Sequence, residues 1–171
     1  AIAGGSGTDK GLTRFGREAI RELNRLKICT DLSHLNDKSF FAAIELAEYP
    51  IASHSNSREI CHVPRNLTDE QLRLIGEKKG LIGLCFYPKF LGGNAFEKIY
   101  ENISRLQGLG LENNIAIGSD FDGADMPPEL SDISKVQDLY TYLEKRGISA
   151  GTLKKIFYEN AQNYFDKLSG I

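Results

Sequence analysis

The chain of 171 residues has no long hydrophobic run, little net charge, few cysteines and no internal repeat or low-complexity stretch. Its longest apolar segments are strand-length, far short of the roughly 20 residues that cross a bilayer as a helix, so no membrane span is expected. Lys and Arg number 21 against 23 Asp and Glu, a formal charge of -2. That balance lacks the basic footprint that nucleic acid or an anionic membrane selects. Cys29, Cys61 and Cys85 are an odd number at wide spacings. They do not form a disulfide framework and favour a reducing compartment, so a cytoplasmic location is expected. The start carries no basic segment followed by an apolar one, so no secretory signal is read there. Phosphate-binding GxxxxGK[ST], dinucleotide GxGxxG, CxxC and GxSxG motifs are all missing. Their absence disfavours nucleotide, dinucleotide and serine-hydrolase chemistry.

What is present is an ordinary globular composition, 41% hydrophobic and 26% charged, enough for one domain with a substantial core. Residues 1–11 are small, polar and Gly-rich and read as a loop or linker. Thr13 caps a helix to about Lys27 with Phe15, Ala19, Leu23 and Leu26 on its apolar stripe. Strands are expected at Ile28–Leu32, Pro50–Ser53, Gly80–Tyr87 and Asn114–Ser119, the third apolar throughout and therefore covered on both faces. Helices alternate with them at Asp37–Glu48, from the capping box Thr68-Asp-Glu-Gln71 to about Lys79, and at Ala95–Gln107 with Phe96, Ile99, Ile103 and Leu106 in phase. Three further helical pieces follow at 132–146, 150–158 and 159–168. Strands alternating with helices imply an α/β fold with a parallel sheet of about four strands. Four strands do not close a barrel of eight, which takes about 250 residues. The pattern fits either a small open sheet or the C-terminal half of a TIM-like (β/α)8 barrel, with residues 1–171 as a single partial domain.

Two histidines end successive apolar runs, Ile28-Cys-Thr-Asp-Leu-Ser-His34 and Pro50-Ile-Ala-Ser-His54, and a third run ends in Asp120 of Gly-Ser-Asp-Phe-Asp-Gly. All three occupy the carboxyl ends of strands, where a barrel gathers its chemistry. Neutral imidazoles are common zinc ligands, and two at adjacent strand ends can converge on one ion, although a catalytic zinc usually takes about three protein ligands. The bland alternative for each is a loop histidine bonded to backbone. Asp120 suits proton transfer, whereas Asp122-Gly123 and Asp125 are turn chemistry. Arg65, 11 residues after His54, is either a carboxylate clamp or a solvated loop arginine. His62 and Arg58 are weaker candidates. Asp31, inside a strand, needs a partner if it is buried and is a candidate to orient a metal ligand.

The segments GLTRFGREAIRELNRL (11–26), DLSH (31–34), ASHSNSR (52–58), PRNLTDEQL (64–72), GLCFYPKFL (83–91) and GSDFDG (118–123) stand in the order found in the renal or membrane dipeptidases. The chain resembles that family of zinc peptidases with an amidohydrolase-like barrel, and the tail at Asn160–Phe165 matches more weakly. The resemblance implies the C-terminal half of the barrel and a binuclear zinc cofactor, with His34 and His54 as ligands of the second zinc. It implies Arg65 as the group that holds the carboxylate of a dipeptide substrate and Asp120 as the acid that handles the proton on the tetrahedral intermediate. In the family a hydroxide bridging the metals attacks the peptide bond, and a D-residue is often accepted at the second position. The family's His-x-Asp pair, its bridging Glu and a further substrate-contacting His have no counterpart here and would lie ahead of Ala1. The missing N-terminal half, or a second copy of the chain, is therefore expected to complete the site. The alternative is a catalytically incomplete half-barrel that acts as a structural or self-associating domain. PRNLTDEQL and GSDFDG disfavour other metal-dependent amidohydrolases.

Overall fold

A computed structural model describes residues 3–6 and 8–170. Within them four short strands form one parallel sheet in sequential order: β1 (Thr30–Asp31), β2 (Pro50–Ala52), β3 (Leu81–Leu84) and β4 (Ile115–Ile117). The register pairs Thr30 with Pro50, Ile51 with Leu81 and Ile82 with Ile115. Each neighbouring pair is joined through helix, so the sheet is built from successive β-α-β units. Among the described residues no helix is long and apolar enough to cross a membrane.

The helices begin where side chains satisfy their free amides. Thr13 accepts from Gly16 N ahead of α1 (Arg14–Arg25), and Asn36 accepts from Ser39 N ahead of α2 (Asp37–Leu46). Thr68 and Gln71 close a reciprocal capping box on α3 (Asp69–Glu77), as the S/T-x-x-Q spacing requires. A single turn, α4 (Pro88–Leu91), starts on proline and ends at Gly92 in the left-handed region. Asn94 then caps α5 (Ala95–Gly108), which buries Ile99, Ile103 and Leu106, while Phe96 lies at the margin of the same face.

The sequence and the structure differ at several elements. On α1 the buried residues are Gly16 and Ile20, whereas Phe15 is 65% and Leu26 48% exposed. Ala19 and Leu23 straddle both stripes, so the apolar pattern fixed the helix but misplaced its inner face by one residue. The strands are shorter than their apolar runs because those runs continue past the ladder into the site loops, and Ile28 is exposed before β1 begins. The tail is α6 (Val136–Lys145) and then one continuous helical run. That run is α7 (Ala150–Lys154), a π-helical stretch (Lys155–Glu159) and α8 (Asn160–Ser169). The π stretch carries the helix past position 159, and Asn160 Nδ2 donates to the carbonyls of Glu112 and Ile115, tying the run to the start of β4.

Residues 1, 2 and 7 of the Gly-rich start lie outside the described residues. The described part is fastened to α2: Gly4 N donates to Ser39 Oγ, and Asn36 Nδ2 donates to the carbonyls of Thr8 and Lys10. The core runs between the sheet and the helices through Phe40, Leu72, Ile75, Ile82, Leu84, Ile99 and Ile115, all fully buried. Burying each such side chain contributes about 1.5–3 kcal/mol. The result is a stiff base under the loops at the carboxyl edge of the sheet.

Candidate active site

His34, His54 and Asp120 all follow strand ends on that edge, three, two and three residues beyond β1, β2 and β4. The parallel register brings the first two together, with His34 Nε2 lying 2.8 Å from His54 Nε2 and ring centroids 4.9 Å apart. His34 also lines a cavity of about 480 Å³ with Tyr87, Phe90, Asp120, Asp122 and Asp125. That volume suits a small ligand. His34, Asp120 and Asp122 adopt φ of 68°, 71° and 63°, in the left-handed region that costs a residue with a Cβ about 1–2 kcal/mol. Gly123 makes room for Asp120: a Cβ there would stand 2.4 Å from Asp120 Oδ1. The Asp120 carboxylate accepts no hydrogen bond among the described residues.

Arg65 is not the solvated loop arginine that its local sequence allows. It is 5% exposed, donates from Nη1 to Ser55 Oγ (2.9 Å) and from Nη2 to the His54 carbonyl (2.7 Å), and sits 5.1 Å from the Phe90 ring centroid. Its Nε is buried with no hydrogen-bond partner, and no carboxylate pairs with the guanidinium among the described residues. A buried cation left this way is costly unless an anion joins it. Arg58 serves the same loop structurally. It grips Asp37 with two bonds (2.8 and 3.0 Å) and donates to the carbonyls of Pro64 and Asn66. His62 is exposed and takes no part.

Beneath the histidines lies a polar layer that sequence reasoning only touched. Asp31 Oδ1 accepts the backbone N–H of Ser33 and of Ser53, both at 3.0 Å, and Oδ2 lies 2.5 Å from Ser53 Oγ. Ser53 Oγ is in turn 2.7 Å from His54 Nδ1. Ser33 Oγ accepts the backbone N–H of His54 and contacts Ser55 Oγ, which holds Arg65. The hint in the sequence was an aspartate inside an apolar run; Ser53 gave none, because its role depends on pairing across β1 and β2.

Local electrostatics follow from this packing. Desolvation lowers the pKa of both His34 and His54, and the nearby Arg65 charge lowers each further. For Asp31, desolvation acts upward even though the residue is exposed. The hydrogen bonds from Ser53 and Ser33 outweigh it, and the net direction is down. Burial pushes the Cys85 thiol up to about 11, which makes it inert.

Two imidazole nitrogens aimed at one point fit a borderline divalent metal such as zinc. Among the described residues no group of three His, Cys, Asp or Glu side chains could hold an ion, so this donor pair is two short of a closed four-ligand site and one short of the three protein ligands of an open catalytic one.

Comparison with known proteins agrees with the fold. Residues 3–169 match the family model for membrane dipeptidase, peptidase family M19. A Klebsiella pneumoniae protein, described only as an uncharacterized protein in the pqqA 5' region, is 36% identical over 168 residues, which cover 94% of this chain and 62% of that protein. The crystal structure of dipeptidase AC, a metallopeptidase, superimposes with a TM-score of 0.91 at 33% identity, covering 99% of this chain and 53% of that one. A Rhodobacter sphaeroides metallopeptidase, solved with a phosphinate mimic of the dipeptide L-Ala-D-Ala, superimposes with a TM-score of 0.89 at 33% identity, covering 98% and 50%. The chain thus spans half to two thirds of the length of these relatives, and its four-stranded α/β unit corresponds to about half of their barrel-type fold.

Proposed function

The chain belongs to the membrane dipeptidase family, and from that premise we propose that it supplies part of the active site of a zinc-dependent dipeptidase. The observation that carries this reading is the 2.8 Å approach of His34 Nε2 to His54 Nε2 beside a buried arginine that pairs with no carboxylate among the described residues. His34 and His54 would hold one zinc ion. A metal bound there supplies Lewis-acid polarisation of the peptide carbonyl and activation of water.

The other residues bind and move protons. Arg65, held by Ser55 Oγ and the His54 carbonyl, is the cation that takes the terminal carboxylate of a dipeptide, which neutralises the buried charge. Asp120, which lines the same cavity as Tyr87 and Phe90, takes a proton from the tetrahedral species and returns it to the leaving amine. A dipeptide with a D-residue in second place is the substrate class this reading favours, in keeping with the L-Ala-D-Ala mimic held by the Rhodobacter sphaeroides protein. With two donors on the described residues, the remaining ligands come from another part of the protein or from a second copy of the chain.

A structural half-barrel with a two-histidine metal clip is the competing reading, and the lack of a third donor among the described residues favours it. Zinc binding by equilibrium dialysis and hydrolysis of L-Ala-D-Ala, measured on one sample, test both. Zinc bound by the chain and weakened at least tenfold in His34→Ala and in His54→Ala is expected. Unchanged zinc stoichiometry in both variants overturns the ligand assignment. Turnover by a monomer of this chain overturns the claim that other ligands are needed.

A further inference from the structure

We propose that Asp31 and Ser53 hold the proton of His54 on Nδ1, leaving its Nε2 lone pair fixed toward His34, and that His34 is the member of the pair whose proton moves when a metal binds. The inference rests on the reading of His54 as a metal ligand only for its purpose; the proton placement stands on hydrogen-bond geometry.

The argument is a count of hydrogens. Asp31 Oδ1 receives two backbone N–H bonds, from Ser33 and Ser53, which fix the carboxylate plane across β1 and β2. Its Oδ2 is then presented to Ser53 Oγ at 2.5 Å. An ionised carboxylate only accepts, so the single hydroxyl proton of Ser53 goes to Asp31. Ser53 Oγ has only lone pairs left for His54 Nδ1 at 2.7 Å, and Nδ1 must carry the hydrogen. A neutral imidazole has one N–H, so His54 Nε2 is bare. Two bare nitrogens would not close to 2.8 Å; hence His34 Nε2 donates to His54 Nε2 in the metal-free chain.

The two histidines are therefore unequal. His54 is preset as a ligand, and its support is rigid. A Cβ on Gly83 or Gly118 would stand 2.1 or 2.0 Å from the Ser53 carbonyl oxygen, so the backbone of β3 and of the residue after β4 lies directly against Ser53. His34 is exposed, and its Nδ1 makes no hydrogen bond among the described residues. On metal binding its Nε2–H bond breaks and an Nδ1–H bond forms through exchange with water, with no net proton released. Ser53 and Asp31 are positioning residues: they act on the metal through His54.

The test is 15N NMR of the imidazole nitrogens in the labelled chain, which has three histidines, with zinc alone as the probe. Expected for the wild type is a pyrrole-type Nδ1 and a pyridine-type Nε2 on His54, with the reverse on His34. Asp31→Asn is the decisive variant. Its amide would donate to Ser53 Oγ, turn the hydroxyl proton onto His54 Nδ1 and reverse the His54 tautomer with little change of shape. Zinc affinity should then fall by about 10–100-fold, and fall similarly in Ser53→Ala, while Ser53→Thr, which keeps the hydroxyl, restores it. Zinc addition should exchange the two nitrogen types on His34 and leave His54 unchanged. A wild-type His54 protonated at Nε2, or a tautomer unmoved by Asp31→Asn, overturns the inference. If the tautomers are as stated and zinc does not bind, the proton placement on His54 stands, and the proton shift on His34 falls with the ligand reading under Proposed function.

Discussion

His34 holds φ at 68°, and this single angle makes a prediction that side-chain contacts alone would not. Replacing His34 by alanine or by glycine removes the same side chain, the same contact with His54 Nε2 and the same small exposed surface. The backbone contact, Ser6 N to the His34 carbonyl at 2.8 Å, is kept in both. The two variants then differ only in backbone terms. Alanine retains the left-handed strain of about 1–2 kcal/mol, and glycine relieves it. Glycine adds conformational entropy to the unfolded chain, which costs about 0.5–1 kcal/mol. The balance favours His34→Gly over His34→Ala by about 0.5–1 kcal/mol, the opposite of the order in a helix. At a urea slope near 2 kcal/mol per molar the midpoints should differ by about 0.3–0.5 M. Urea unfolding followed by circular dichroism on the two variants, at one pH and without metal, measures this. A midpoint for His34→Ala equal to or above that of His34→Gly would refute the claim that strain is stored at the site.

The remaining predictions use the same samples. The imidazoles of His34 and His54 are held below the ordinary value near 6.5 by desolvation first and the Arg65 charge second, so the unfolded chain binds more protons than the folded one below that pH. Stability should therefore be full above pH 6.5 and decline as pH falls through the lowered values. The double variant His34→Ala/His54→Ala should show a flatter dependence in urea midpoints between pH 7.5 and 5, and an undiminished slope would sink this account. The lowered Asp31 acts in a separate window, below the usual carboxylate range. Gly118→Ala should destabilise by about 1–3 kcal/mol or more, because its Cβ meets the Ser53 carbonyl at 2.0 Å, whereas Gly108→Ala, with nothing within 4 Å at the end of α5, should stabilise by up to about 1 kcal/mol. Equal thermal midpoints for those two variants would contradict the packing of β4 against Ser53.

What the sequence revealed follows from which interactions are local. The Thr68–Gln71 box and the Ile99, Ile103, Leu106 spacing act within one helix, and the structure contains both. The all-apolar run at β3 predicted a strand buried on both faces, and Leu81–Leu84 are buried throughout. Positions 34, 54 and 120 could be placed together because a parallel sheet sends every strand's carboxyl end to one edge. The inner face of α1 failed because Ala19 and Leu23 fit either stripe, and tertiary packing chose the one through Gly16 and Ile20. The burial of Arg65 and the bond between Ser53 and Asp31 were hidden for a different reason. The first depends on Arg65 folding back 10 residues onto Ser55 within the loop after β2, the second on residues 22 positions apart meeting between β1 and β2, and no local pattern encodes either.

Strain by itself does not mark a site, and the chain contains its own control. Lys27 and Lys79 also have positive φ, 54° and 56°, but each ends a helix where a left-handed residue closes the last turn. Their side chains could be replaced by glycine without changing that logic. His34, Asp120 and Asp122 end no helix. They pay the same conformational cost in loops where glycine would be more stable, and the buried, anion-free Arg65 adds a cost of its own within the same layer. A half-barrel kept only for its shape would gain stability from glycine at the three strained positions, since none of those side chains belongs to the core. Their concentration at the carboxyl edge of one sheet is what a metal and a substrate carboxylate would offset. It is the physical ground for preferring an active site over a structural remnant.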